Sequence, residues 1–276
     1  MAPFELHRPH ELSEALHLLD KHGDDAVLHM GGTELLLLMK LGFAQPGHLV
    51  DGKRIASLET LQVDDQRLAI GAGVTHRRLE RHRDIARMLP ALAVLERSVA
   101  NVRVRNAGTI GGNLCFAEPH SDPATMFAAL GATVELASTG GERTIPFRDF
   151  LHGAFATDLR AGEIMTRIEV PLPSPGARVG YQRIAFKERP DVAAAVVLDG
   201  AHSEVWVGAL AAKPLPVPGA AEALAASRGR DATAAVDEVQ TAVLAVDTGE
   251  GADYRAHLAG VLVRRAIDGA APRLPL

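Results

Sequence analysis

The sequence predicts an α+β protein of two domains. Three observations carry this reading. The first 42 residues run helix, strand, glycine turn, helix; later apolar segments come as hairpin-like strands; and a proline- and glycine-rich stretch near residue 175 separates them from further strands and an alanine-rich helical end. A chain of 276 residues, 47% hydrophobic and 23% charged, is long enough to bury a substantial core in more than one domain.

In ELSEALHLLDKHGDDAVLHMGGTELLLLMKLGF, Leu12, Ala15, Leu16 and Leu19 recur at helical spacing and Gly23 follows, which predicts a helix over 13–22. Residues 26–30 then read as a short buried strand. Gly31 and Gly32 break it, and 34–41 reads as a second helix with Lys40 in its last turn and Gly42 beyond. The run of leucines at 35–38 is expected to pack behind the turn. LQVDDQRLAIGAGV predicts a hairpin turning at Asp64, Asp65 and Gln66. Helices are expected over 75–81 and 84–98. The stretch GTIGGNLCFAEPHSDPA, residues 108–124, shows too little periodicity for a regular element until its end, where Ser121 or Asp122 caps a helix with Pro123 in its first turn.

ATVELAS, RTIPF and EIMTRIEVP read as strands of one sheet. PLPSPGARVG marks the domain boundary, giving domains 1–175, with subdomains of about 1–55 and 56–175, and 176–276. YQRIAF, VAAAVVL and SEVWVGAL predict three strands of the second domain, and DYRAHLAGVLVRRAI its last helix.

Composition narrows the function. A net charge of −5 without a basic run argues against nucleic acid, and the apolar run at 35–39 is far too short to span a bilayer. The N-terminus places acids and a proline where a signal peptide needs a basic and then an apolar stretch, so a cytoplasmic protein is expected. Cys115 is the single cysteine, which excludes an internal disulfide and any multi-thiolate metal centre within the chain.

MGGTEL and TIGGNL each place a glycine pair at a turn. Glycine allows positive φ and close approach, and successive backbone N–H groups there form an anion site, so a diphosphate is the fitting ligand. Thr33, Thr109 and Asn113 add hydroxyl and amide donors, while Glu34 and Asp122 are candidate acceptors from ribose or adenine groups. Neither pair fits the Rossmann or Walker pattern. The histidines at 7, 10, 17, 22 and 29 share no metal-ligand spacing with carboxylates and read as solvated or half-buried side chains. Cys115 reads as packing, and Arg103 and Arg105 either order the loop before the second glycine pair or face a partner.

Taken together, PHELSEALHLLDKHGDDAVLHMGGTELLLLMKLGFAQPGHLVD, TIGGNLCFAEPHSDPA and DYRAHLAGVLVRRAI resemble the FAD-binding medium subunit of the molybdenum hydroxylases, the family of the carbon monoxide dehydrogenase medium subunit and the xanthine dehydrogenase FAD domain. The resemblance implies a vanillyl-alcohol oxidase or p-cresol methylhydroxylase type of fold, with two α+β subdomains and a C-terminal domain of a three-stranded antiparallel sheet and helices. It implies that Met30, Gly31, Gly32, Thr33, Glu34 and Leu35 wrap the FAD diphosphate together with Thr109, Ile110, Gly111, Gly112 and Asn113. Asp122 matches an acid near the adenosine side. Met165 and the region from Gln182 to Lys187 match flavin contacts, with Arg183 and Lys187 as donors toward the pyrimidine ring, and His76 matches a position near the flavin. Glu34 follows the xanthine dehydrogenase form, whereas Gln182 stands where that form has a flavin-contacting lysine.

The implied function is an oxidoreductase subunit with no catalytic acid or base of its own. A small subunit with two [2Fe-2S] clusters would feed electrons to the FAD, a large molybdopterin subunit would oxidise the substrate, and the whole would be a heterohexamer, a dimer of heterotrimers. The alternatives are a stand-alone FAD-dependent reductase or oxidase, and an assembly subunit without FAD. Bulky replacements at Gly32 or Gly111 are expected to abolish FAD retention while the chain still folds.

Overall fold

The computed structural model describes residues 1–274. Its first unit is a parallel sheet of Glu5–His7, His48–Asp51 and Ala26–His29, with His48–Asp51 in the middle. Parallel neighbours require crossover connections, and the helix Leu35–Leu41 lies on the one between Ala26–His29 and His48–Asp51. The helix Leu12–His22 buries Ala15, Leu16 and Leu19, the stripe its spacing predicted. Of the leucines expected behind the turn, Leu37 is instead 50% exposed: a helix of seven residues shows one side to solvent whatever its composition.

The second unit is an antiparallel sheet in the order Leu61–Val63, Arg67–Gly71, Ile164–Pro171, Thr133–Ser138, Gly141–Pro146. Its first hairpin turns as expected, with the Asp64 carboxylate accepting from the N–H groups of Gln66 and Arg67, both at 2.8 Å. The helix expected over 84–98 is two, Arg83–Met88 and Pro90–Ser98. Pro90 opens the second, and Leu89 before it leaves the helical region at φ −131°, ψ 66°. Val102–Ala107 is helical, capped by the Asn101 side chain, which accepts from the N–H groups of Arg103 and Val104.

The stretch read as irregular also contains a helix, Ile110–Phe116. Thr109 caps it by accepting from Gly112 N–H at 3.1 Å. Two glycines in so short a helix each cost about 1 kcal/mol relative to alanine, so packing must hold it. Ile110 and Leu114 supply that packing, at 0% and 1% exposure.

The last unit is a sheet in the order Leu215–Pro216, Glu204–Gly208, Val192–Leu198, Arg178–Ile184, Ala271–Pro272, with the helices Pro218–Ser227, Thr233–Val246 and Ala252–Asp268 beside it. The three long strands are the predicted ones. Two edge strands of two residues each add to them, and each carries a proline, which an edge tolerates. All seven residues of Val192–Leu198 are buried. Val192, Ala194, Val196 and Leu198 face the C-terminal helices, while Ala195 and Val197 join the core of the antiparallel unit, so an uninterrupted apolar run fills two cores by strict alternation. The fold is therefore α+β, and no helix among the described residues is long and apolar enough to cross a membrane.

Candidate functional site

A cavity of about 620 Å³ opens where the three units meet. The turn after Ala26–His29 and the start of the Ile110–Phe116 helix both line it. They touch each other: a Cβ on Gly31 would stand 2.1 Å from the carbonyl oxygen of Ala107 and 2.8 Å from the Cα of Gly108. The two glycine segments read separately from the sequence thus form one wall.

They differ in what they offer a ligand. In the first, no backbone N–H from Gly31 through Leu35 donates to a protein acceptor among the described residues; the hydrogen bonds resume with Leu36 to the carbonyl of Gly32 at 3.1 Å. Gly32 takes φ +66°, and a Cβ there would stand 2.5 Å from the Nε2 of His29. Five consecutive free donors beside a cavity form an anion cradle.

The second segment has no run of such donors, only the N–H of Thr109 being without an acceptor among the described residues. Ile110 N–H bonds the carbonyl of Val74, Gly111 N–H that of Ala72, and Asn113 N–H that of Thr109, each at 2.9 Å, while Gly112 N–H is held by Thr109. Ile110 lies in the core, outside the cavity wall. Gly111 is small because of Ala72, whose Cβ would lie 2.5 Å from any Cβ placed there. A bulky residue at Gly111 therefore disrupts the fold itself, contrary to the expectation that only cofactor retention would suffer. Both glycines line the cavity, but Gly111 is buried against Ala72 whereas Gly112 is exposed to it. Asn113 accepts from the Ser121 hydroxyl at 2.6 Å, which leaves its amide NH₂ as a donor.

The sequence predicts a solvated or half-buried His29. The structure buries it at 8% exposure on the cavity wall, and neither ring nitrogen has a hydrogen-bond partner. Asp51 stands 3.8 Å from its Nδ1, beyond hydrogen-bond range. Burial and then the Lys53 charge hold its pKa below the ordinary value, so it is a neutral imidazole with an unspent donor. Sequence offered one signal for it: it stands two residues before the glycine pair.

Asp122 lines the cavity, but its carboxylate is already engaged. Tyr181 donates its hydroxyl to one oxygen and Arg183 its guanidinium to the other, tying the antiparallel unit to the C-terminal sheet. The structure thus gives Asp122 and Arg183 each other as partners within the protein. Burial outweighs the Arg183 charge and pushes the Asp122 carboxyl up to about 6; burial also raises the Tyr181 hydroxyl well above its ordinary value. Close by, His76 also lines the cavity, with its Nδ1 2.7 Å from a Glu96 oxygen in a pair buried at 2% and 0% exposure.

Met165 lines the cavity at 3% exposure, where a bulge between Met165 and Arg167 interrupts the pairing with Thr133–Ser138. Lys187 is exposed and lies off the wall, which Glu188, Arg189 and Pro190 complete instead. Arg189 reaches across to Glu34 at 2.9 Å and to Glu118 at 3.4 Å. Glu34, expected as a ribose or adenine acceptor, is therefore one side of a bridge at the cavity, a link over 155 positions that no local motif announces. Cys115 lines the cavity too, but burial pushes its thiol up to about 12, so it stays protonated and fills space.

A family model described as the FAD binding domain in molybdopterin dehydrogenase matches residues 2–173. The chain belongs to this family. It is 32% identical over 281 residues to the carbon monoxide dehydrogenase medium chain of Afipia carboxidovorans, covering 98% of this chain and 97% of that one. To the nicotine 6-hydroxylase medium subunit of Paenarthrobacter nicotinovorans it is 30% identical, covering 96% of each. Among solved structures it matches a chain of the reconstituted CO dehydrogenase from Oligotropha carboxidovorans with a TM-score of 0.90 at 32% identity, covering 99% of this chain and all of that one. The cavity suits the dinucleotide of this FAD-binding family: a run of free N–H donors for its anionic centre, an unpaired buried imidazole beside them, and glycine where side chains would narrow the wall.

Proposed function

We propose that this chain is the FAD-carrying electron-transfer subunit of a cytoplasmic, multi-subunit molybdenum hydroxylase, a dimer of heterotrimers with a large molybdopterin subunit and a small iron–sulfur subunit. In this reading it takes electrons from the small subunit's [2Fe-2S] clusters and passes them to an external acceptor. The observation that carries it is the unbonded run of N–H groups from Gly31 to Leu35, all in residues that line the cavity. These donors, the Thr33 hydroxyl beside them and the neutral His29 hold the diphosphate; Gly112 leaves room along the same wall and the Asn113 amide donates from it. Met165 and His76 lie where the cavity reaches the antiparallel sheet and line the ring end. The Arg189 bridge to Glu34 and Glu118 retains the cofactor by closing one side.

Bound flavin supplies two-electron storage with one-electron exchange, and the protein contributes position and polarity. A buried His76 and Glu96 at 2.7 Å keep an ionisable pair at the wall without exposing it to water. The relatives named as medium chains or subunits support the assignment of partners.

The test is co-purification of the native assembly followed by flavin, iron and molybdenum analysis. The reading expects flavin with this chain and iron to molybdenum near 4:1, roughly the ratio two [2Fe-2S] clusters per molybdenum require. A yellow protein that purifies without metal-bearing partners and turns over a reductant by itself would support the stand-alone alternative.

A further inference from the structure

Three histidines distant in sequence meet at the edge of the N-terminal parallel sheet. His7 ends the strand Glu5–His7, His22 ends the helix Leu12–His22, and His48 begins the strand His48–Asp51. None of them lines the cofactor cavity. The parallel register sets Glu5 beside His48, and the helix end brings His22 onto both rings. The His22 and His48 centroids are 3.7 Å apart, and His7 lies 5.5 and 5.2 Å from them.

The rings share more than stacking. The Nε2 of His7 is 3.0 Å from the Nδ1 of His48, and one nitrogen from each of the three rings falls within 4.8 Å of the others. His22 Nε2 is buried and has no hydrogen-bond partner. Two carboxylates flank the group: Glu5 lies 3.6 Å from His48 and 3.8 Å from His7, and Asp25 lies 4.0 Å from the far nitrogen of His48. Asp25 is itself fixed by the N–H of Gly47 at 2.8 Å.

Neutral imidazole is the ligand form for borderline divalent metals, and carboxylates that orient the rings are its usual outer partners.

We propose that His7, His22 and His48 form a tris-imidazole site for a divalent transition-metal ion such as Zn²⁺, with the carboxylates of Glu5 and Asp25 as its outer partners. Binding replaces the His7–His48 hydrogen bond, and the ring that donated it carries its proton on its other nitrogen instead. The ion ties both strands to the helix end, at the corner from which the chain enters Ala26–His29 and reaches the glycine turn. The site is independent of the flavin assignment.

Calorimetric titration of chelator-stripped full-length protein with zinc chloride tests it. One site per chain is expected, and His22→Gln and His48→Gln should each weaken it about tenfold or more, with flavin content unchanged. Copper paramagnetic resonance on the wild-type chain needs no variant: at one equivalent of Cu²⁺, hyperfine structure from nitrogen ligands is expected. No zinc binding, variants that bind as the wild type does, or an oxygen-only copper spectrum would overturn the proposal.

Discussion

Gly31 lies so close to Ala107 that a Cβ on the glycine would stand 2.1 Å from the alanine's carbonyl oxygen. What approaches this backbone most closely is another stretch of the same backbone. That contact joins the two glycine segments into one wall, in which the N–H groups of the first have no protein acceptor.

Gly31→Ala should therefore unfold and empty the protein together. Overpacking against a backbone that cannot swing aside costs about 1–3 kcal/mol, so a lower melting temperature and a lost flavin band are expected from the same sample. Gly112→Ala is the contrast. Its Cβ meets only the Thr109 hydroxyl, at 3.0 Å, and alanine favours the helix, so melting should change by less than about 1 kcal/mol while FAD binds more weakly. Equal effects of the two substitutions on melting would contradict the division between packing glycine and cavity glycine.

His29→Leu separates binding from folding. The imidazole has no hydrogen-bond partner in the apo protein, so replacing it with an apolar side chain should leave thermal stability equal or higher. FAD affinity should fall by about tenfold or more, the worth of one hydrogen bond to a charged group. Fluorescence titration reads the second quantity, and undiminished affinity would remove His29 from the site.

Arg189→Ala breaks an ion pair whose arginine side chain is 53% exposed. Exposed pairs contribute about 0–1 kcal/mol, so melting of the apo protein should barely move. Loss of the bridge at the cavity should instead speed FAD release several-fold, measured by stopped-flow dilution. An unchanged release rate would mean that the bridge does not retain the cofactor.

Asp122 gives a pH dependence with a definite sign. Its carboxyl is pushed from an ordinary 3.8 to about 6, chiefly by burial, with Arg183 and Tyr181 pulling the other way. The folded chain therefore holds a proton there that the unfolded chain has lost. The corresponding stability is complete below pH 3.8 and disappears as pH rises through about 6. A displacement of this size is worth on the order of 3 kcal/mol. Asp122→Asn removes the titration, so urea midpoints should show the variant gaining on the wild type between pH 4 and 6. A gain by the wild type over that interval would mean that attraction to Arg183 outweighs burial.

Much of this was legible in the sequence because it rests on local rules. The stripe of Ala15, Leu16 and Leu19, the Asp64 turn and the strand at 192–198 follow from local residue pattern alone. The glycine pairs pointed to the cavity, but not to their division of labour, which depends on Ala72 and Ala107, residues with no motif of their own. The helix Ile110–Phe116 was hidden because tertiary burial of Ile110 and Leu114 overrides two glycines. Arg189 with Glu34, Arg183 with Asp122, and the three histidines are contacts across 155, 61 and up to 41 positions, which only the folded topology brings together.

The central claim is that the free N–H groups from Gly31 to Leu35 hold a diphosphate, and comparing FAD with riboflavin by calorimetry on the full-length chain tests it most directly. Two hydrogen bonds to charged oxygens, at about 1.5 kcal/mol each, predict FAD binding roughly a hundredfold tighter or more. Equal affinity for the two would contradict the account, because the ring system would then bind without any help from the cradle.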